Sequence, residues 1–150
     1  MKKQLFALMS CFLVALLLPL TTYASEGVDL IHVDDGSVIG GWDEETGYFQ
    51  NIEAYSKSLT SEIMPFSEVN HRGTREKDDS TSTTRYRAHG WTTWAGVYHY
   101  TRARMESSQG AVLTDSKRVW GYDGTEAVSP WWPFDPSIND KARTYYGSGN

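Results

Sequence analysis

Cysteine is almost absent: the 150 residues contain one, Cys11, and it sits in the middle of an N-terminal apolar run. Beyond that run there is no thiol, so a disulfide framework, a cysteine metal site and a cysteine nucleophile are all excluded. Small exported domains commonly lean on disulfides, and this chain must hold together by packing alone. Other signatures are missing too. There is no His-Glu-x-x-His pair, no nucleophile elbow, no phosphate-cradling glycine loop and no Asn-x-Ser/Thr acceptor. Asp34–Glu45 has the length of a calcium loop, but Gly36 and Val38 offer no side-chain oxygen, and Ile39 stands where a glycine is required. From Asn70 to Arg85 no large apolar residue occurs.

What is present begins with residues 1–24. Lys2 and Lys3 open the chain, Leu5–Leu20 is almost unbroken apolar sequence, and Thr22 and Ala24 place small residues before Ser25. This is the three-part pattern of a secretory signal peptide. The apolar run is shorter than the roughly 20 residues of a spanning helix. We therefore expect export, cleavage before Ser25, and no stable membrane span. The remaining chain holds 12 basic and 19 acidic residues, a net charge of −7. Residues 25–80 carry net −9 and residues 81–150 net +2, with five of the six tryptophans in the second part. An acidic, exported chain is a poor nucleic-acid binder.

Periodicity predicts a mainly β protein. Asp29–Val33 reads as a short strand. Ile52, Tyr55, Leu59 and Ile63 recur at helical spacing after Asn51, a good cap, and Pro65 closes the helix. The polar stretch 70–85 reads as a linker or loop, with an ordered hairpin as the alternative. Beyond it Val97, His99, Thr101, Ala103 and Met105 alternate with Tyr98, Tyr100, Arg102 and Arg104. Val112–Leu113 and Val119–Trp120 flank Asp115-Ser116-Lys117 as a hairpin, and Ala142–Tyr146 is a last strand. The expected organisation is a signal peptide (1–24), an acidic N-terminal segment with one short helix (25–69), a polar linker (70–85) and a small antiparallel β-sandwich (86–150).

No catalytic or metal-binding set emerges, and no cofactor is called for. His32, His71, His89 and His99 show no helical i,i+4 pairing. The residues that point to chemistry are Tyr98, Tyr100, Arg102 and Arg104 on one strand face, with Trp131 and Trp132 further on. Aromatic rings beside guanidinium groups suit sugar rings or lipid-linked phosphates. The competing account is that these aromatics form the core and the arginines cover tyrosine faces.

Tyr98-His99-Tyr100, Gly110-Ala111-Val112, Gly121 with Ala127, and Ala142-Arg143-Thr144-Tyr145-Tyr146 together give residues 86–146 a pattern that resembles the lactococcin 972 family of secreted bacteriocins. The resemblance implies a cysteine-free β-sandwich that acts at the cell wall of sensitive bacteria, without catalytic residues. The acidic segment 25–80 has no counterpart in that pattern. The function expected from the sequence is thus a secreted, non-enzymatic protein. Its partner would be a bacterial cell-wall component or lipid-linked precursor, in the manner of a bacteriocin-like effector. A small secreted hydrolase with a carboxylate or histidine site and a structural extracellular protein are the alternatives.

Overall fold

In the computed structural model the described residues are 38–60 and 67–149, with side chains of 57–60 excepted. The signal-peptide pattern, the strand expected at 29–33 and the helix end at Ile63–Pro65 lie outside them. The protein is mainly β, with one short helix and a single curled antiparallel sheet. The strands are β1 (Gly40–Asp43), β2 (Gly47–Gln50), β3 (Asn70–Asp78), β4 (Arg85–Ser107), β5 (Val112–Asp115), β6 (Val119–Val128), β7 (Trp132–Pro133) and β8 (Asp140–Ser148). The helix is α1 (Ile52–Thr60). Asn51 caps it as expected: its side-chain oxygen accepts from the Ala54 N–H at 3.1 Å, and its carbonyl from the Tyr55 N–H at 2.9 Å.

The 23-residue strand β4 organises everything else. Along one edge β3 pairs with residues 85–93 and β8 with 99–107. Along the other, β5, β6 and β7 follow one another antiparallel from Glu106 back to Arg85. β1 adds to β8, and β2 closes that edge. The pairing of β4 with β6 shifts between Trp94 and His99, where Gly96 takes a φ of +73°. There the strand turns back, and the two halves of the sheet face each other.

Between them lies a core with a polar centre. His71 Nδ1 meets Thr92 Oγ1 and its Nε2 meets Thr144 Oγ1, both at 2.8 Å. Thr101 Oγ1 lies 2.6 Å from both Thr92 Oγ1 and Thr125 Oγ1. All five residues are buried. Buried hydroxyls persist because each finds a partner, and this chain joins β3, both halves of β4, β6 and β8. A Cβ at Gly90 would come within 2.8 Å of Thr144, so only glycine lets the halves approach this closely. Apolar packing flanks the network. Ala88, Ala103, Met105, Ala127 and Ala142 form one group, and Ile39, Trp94, Val97 and Tyr146 another.

Three expectations need correction. Residues 70–78 are β3, paired rung for rung with β4, and only 79–84 form the connection, so of the two readings of 70–85 the ordered hairpin is the one present and the linker is not. The strand needs no large apolar residue because its outer side chains pair by charge, Glu76 with Arg87 and Asp78 with Arg85, while His71 and Gly73 turn inward. Second, β1 and β2 belong to the same sheet as the C-terminal strands, so this part of the acidic segment is no appendage. Third, Asp115-Ser116-Lys117 reverses nothing. β5 and β6 both pair with β4, and Ser116 donates its N–H to the Ala103 carbonyl at 2.9 Å, leaving a bulge with Lys117 at φ +63°. The reversal comes earlier, at 108–111, where the Gly110 N–H reaches the Ser107 carbonyl at 2.9 Å.

Candidate functional site

The alternation expected from 97 to 105 is present, but both of its faces are largely covered. Val97, His99, Thr101, Ala103 and Met105 are buried. On the other face Tyr100 is 0% exposed and Arg104 3% exposed, so neither offers a surface to a ligand. Arg102 binds Asp115 through two nitrogens, the Nε bond at 2.9 Å, and Arg104 Nε lies 3.6 Å from the same carboxylate. β1, β8 and β5 carry the carboxylates and rings that enclose this face. Burial would raise the Asp115 carboxyl, but the Arg102 hydrogen bond, the Lys117 N–H and both guanidinium charges hold it well below the usual carboxylate range.

The enclosure extends into a charged lattice. Glu106, fully buried, accepts from Arg143 at 3.0 Å and from the Tyr145 hydroxyl at 2.8 Å. Arg143 also binds Asp43 at 2.5 Å, and Arg75 bridges Glu44 and Asp140. Burial pushes the Tyr145 hydroxyl up, and the Glu106 charge beside it adds to the effect. Each acid is matched by a base and the groups are tied to strands on several sides, which is the chemistry of a structural lattice rather than of a reacting centre.

Of the sequence candidates, Tyr98 alone on that face stands out in solvent, at 44% exposure. It is not alone in space. Its ring stacks on Trp120 at 5.3 Å and 18°, and it meets Tyr122 at 5.0 Å. Trp120 and Tyr122 are 38% and 63% exposed. The three rings form one continuous aromatic platform on β4 and β6. Trp120 rests edge-on against buried Tyr100 at 4.9 Å, and the Arg118 guanidinium lies 4.8 Å from the Tyr100 ring. Gly149 runs beside the platform; a Cβ there would reach within 2.9 Å of Tyr98 and 3.1 Å of Trp120. Trp120 and Tyr122 were not singled out from the sequence, although their i,i+2 spacing on a strand was the available signal.

Trp131 and Trp132 part company. Trp132 packs against the alanine-rich group, and Trp131 lies under Arg87 at 4.3 Å and Arg85 at 5.6 Å. Neither joins the platform rings. Near Trp131 on the same outer face, His89 presents Nδ1 to Glu76 at 2.5 Å and Nε2 to Glu126 at 2.6 Å, with its ring stacked on Trp91.

A cleft of about 430 Å³ opens elsewhere, between β2, α1 and the start of β3. Tyr48, Gln50, Tyr55, Glu68, Asn70 and His71 line it. Burial, and the neighbouring His99, push the His71 imidazole down to about 3, so at neutral pH the ring is uncharged. Both of its nitrogens are held by threonine hydroxyls. Buried His99 meets the Val97 carbonyl at 2.8 Å. Among the described residues no group of three or more His, Cys, Asp or Glu is arranged to hold a metal ion, and no helix is long and apolar enough to cross a membrane. Comparison with protein-family models, with curated proteins and with solved structures gives no match.

Proposed function

We propose that the protein is an exported, non-enzymatic binding module that attaches to the glycan surface of a bacterial cell envelope through Tyr98, Trp120 and Tyr122. The observation that carries this reading is the contact of Tyr98 with both Trp120 and Tyr122, three large aromatic rings that the fold leaves exposed side by side. Aromatic rings stack on the C–H faces of sugars without needing charge, and a contiguous exposed set of this kind marks an interaction surface. Export rests on the pattern of residues 1–24, and action in the manner of a bacteriocin rests on the resemblance of residues 86–146. A hydrolase is the weaker reading, because His71, His89 and His99 are each engaged by fold-internal partners and the described lining of the cleft holds a single carboxylate, Glu68, where glycoside hydrolysis uses a pair.

The test is retention on purified, protein-free cell wall. The Trp120→Ala/Tyr122→Ala double variant should lose retention by about tenfold or more, the scale of one or two lost stacking contacts. Because Trp120 also packs edge-on against buried Tyr100, Tyr122→Ala alone, at the more exposed ring, serves as the control and should weaken retention with little change in melting temperature. Undiminished retention would end the platform's claim to be the binding surface.

A further inference from the structure

We infer that the cleft between β2, α1 and β3 is a second binding site, and that it takes a short uncharged saccharide. This rests on the reading of the protein as a glycan binder and names the chemistry of a separate subsite. The cleft falls within the roughly 300–1,000 Å³ range of ligand sites. Its walls combine two tyrosine rings, two primary amides and one carboxylate, namely Tyr48, Tyr55, Gln50, Asn70 and Glu68. Amides and a carboxylate both accept from and, for the amides, donate to neighbouring hydroxyls, and tyrosine rings cover the C–H face of a pyranose.

The wall is also held ready. Tyr48 and Tyr146 share a hydrogen bond of 2.7 Å between their hydroxyls, and Gln50 Nε2 approaches the Tyr146 hydroxyl at 3.4 Å. The Tyr146 ring lies 4.9 Å from His71, whose two nitrogens are fixed by Thr92 and Thr144. Gly40 makes room for this arrangement: a Cβ there would stand 2.7 Å from the Tyr146 hydroxyl.

Charge selects among ligands. Among the described residues the lining contains no lysine or arginine and one carboxylate, Glu68. An anionic phosphate or carboxylate would meet repulsion from Glu68 and no cation among the described lining residues. The described surroundings of Glu68 and the tyrosines would admit one rival, a quaternary ammonium group, which the test includes.

The untruncated protein, purified from its expressing culture, is titrated with chitotriose and separately with tetramethylammonium chloride and inorganic phosphate. Amide and tyrosine ring signals are followed by NMR. Saturable chitotriose shifts at Tyr48, Gln50, Asn70 and His71 are expected. Gln50→Ala/Asn70→Ala should weaken them by about tenfold, as loss of one or two hydrogen bonds requires, with an unchanged melting curve. Trp120→Ala/Tyr122→Ala should leave these cleft shifts intact. Absence of cleft shifts with chitotriose, or stronger shifts with tetramethylammonium or phosphate, would overturn the inference. Chitotriose shifts that disappear only with the Trp120 variant would overturn it too, while leaving the platform reading standing. Wall retention that survives in the cleft variant separates the two sites from the other side.

Discussion

The hydroxyl oxygens of Thr92 and Thr101 lie 2.6 Å apart although nine positions separate them on one strand. An extended strand would place residues nine apart at about 30 Å. The contact is therefore made by the fold-back at Trp94–His99, and it ties the two halves of β4 together at the centre of the molecule. Thr101 is the branch point, since it also meets Thr125 at 2.6 Å. Thr101→Val keeps the shape but strands its hydroxyl partners in the core. We expect a loss of about 1–3 kcal/mol in denaturant unfolding, with Thr101→Ser losing less. Equal stability of the valine variant would show that the network does not hold the halves together.

His71 gives stability a pH dependence of definite sign. Its imidazole is held down to about 3, from an ordinary value of 6.5, by burial and by His99. Below pH 6.5 the unfolded chain takes up a proton that the folded chain refuses. Stability should thus be fully present above about pH 6.5 and fall as pH drops towards 3, at about 1.4 kcal/mol per pH unit within that window. The lowered carboxyls of Asp43 and Asp115 add their own loss only as pH falls through the carboxylate range. The interval from pH 6.5 to 5 therefore separates the His71 contribution from theirs. Urea midpoints measured there should fall in the native protein and flatten in His71→Gln. A native protein with a flat profile would contradict this placement of His71.

Arg104→Ala should be costly. Its guanidinium lies 3.7 Å from fully buried Glu106 and 3.6 Å from Asp115. Removing a partner from a buried charge group costs on the order of 3 kcal/mol, well above the change of about 1 kcal/mol or less expected of an exposed arginine. Thermal and denaturant melts decide it. A near-native melt would mean that the lattice re-pairs without this residue.

Trypsin should distinguish the paired strand from the bulge. Arg72 and Arg75 lie in β3, hydrogen-bonded along its length to β4, while the Lys117 side chain is 82% exposed on a bulge. Among the described residues, cleavage after Lys117 should precede cleavage after Arg72 or Arg75, read by mass spectrometry of a brief digest. First cuts at Arg72 or Arg75 would restore the view of 70–85 as an open linker.

The sequence made some of this legible because single residues carried it. Asn51 announced the helix start, and the 97–105 alternation announced a strand. Face assignment failed at Tyr100 and Arg104 because alternation sorts residues into two faces without saying that both will be covered. β3 was unreadable by hydrophobic pattern, since its inner positions are His71 and Gly73 and its outer ones pair by charge. The bulge at Ser116 was read as a hairpin because turn residues signal a break in regular pairing, not the direction the chain leaves it. The platform was half visible, in Tyr98. Its other two members lay on a strand whose turn-rich sequence, Gly121 to Gly124, hid its continuity.

The dependence of every strand on β4 sets the order in which the molecule can assemble. β1 and β2 reach the rest of the sheet only through β8, the last strand to be made. The hairpin of β1 and β2, the first strands of the described chain, thus waits for β8 before it joins the rest of the sheet. Contacts of such long sequence separation are slow to close, and a chain interrupted before Asp140 would present β1, β2 and half of β4 with open edges. Maturation should behave as one late event, completed only after the C-terminal strand is released, and a chain held short of that point is a substrate for proteases and aggregation rather than a partly working protein.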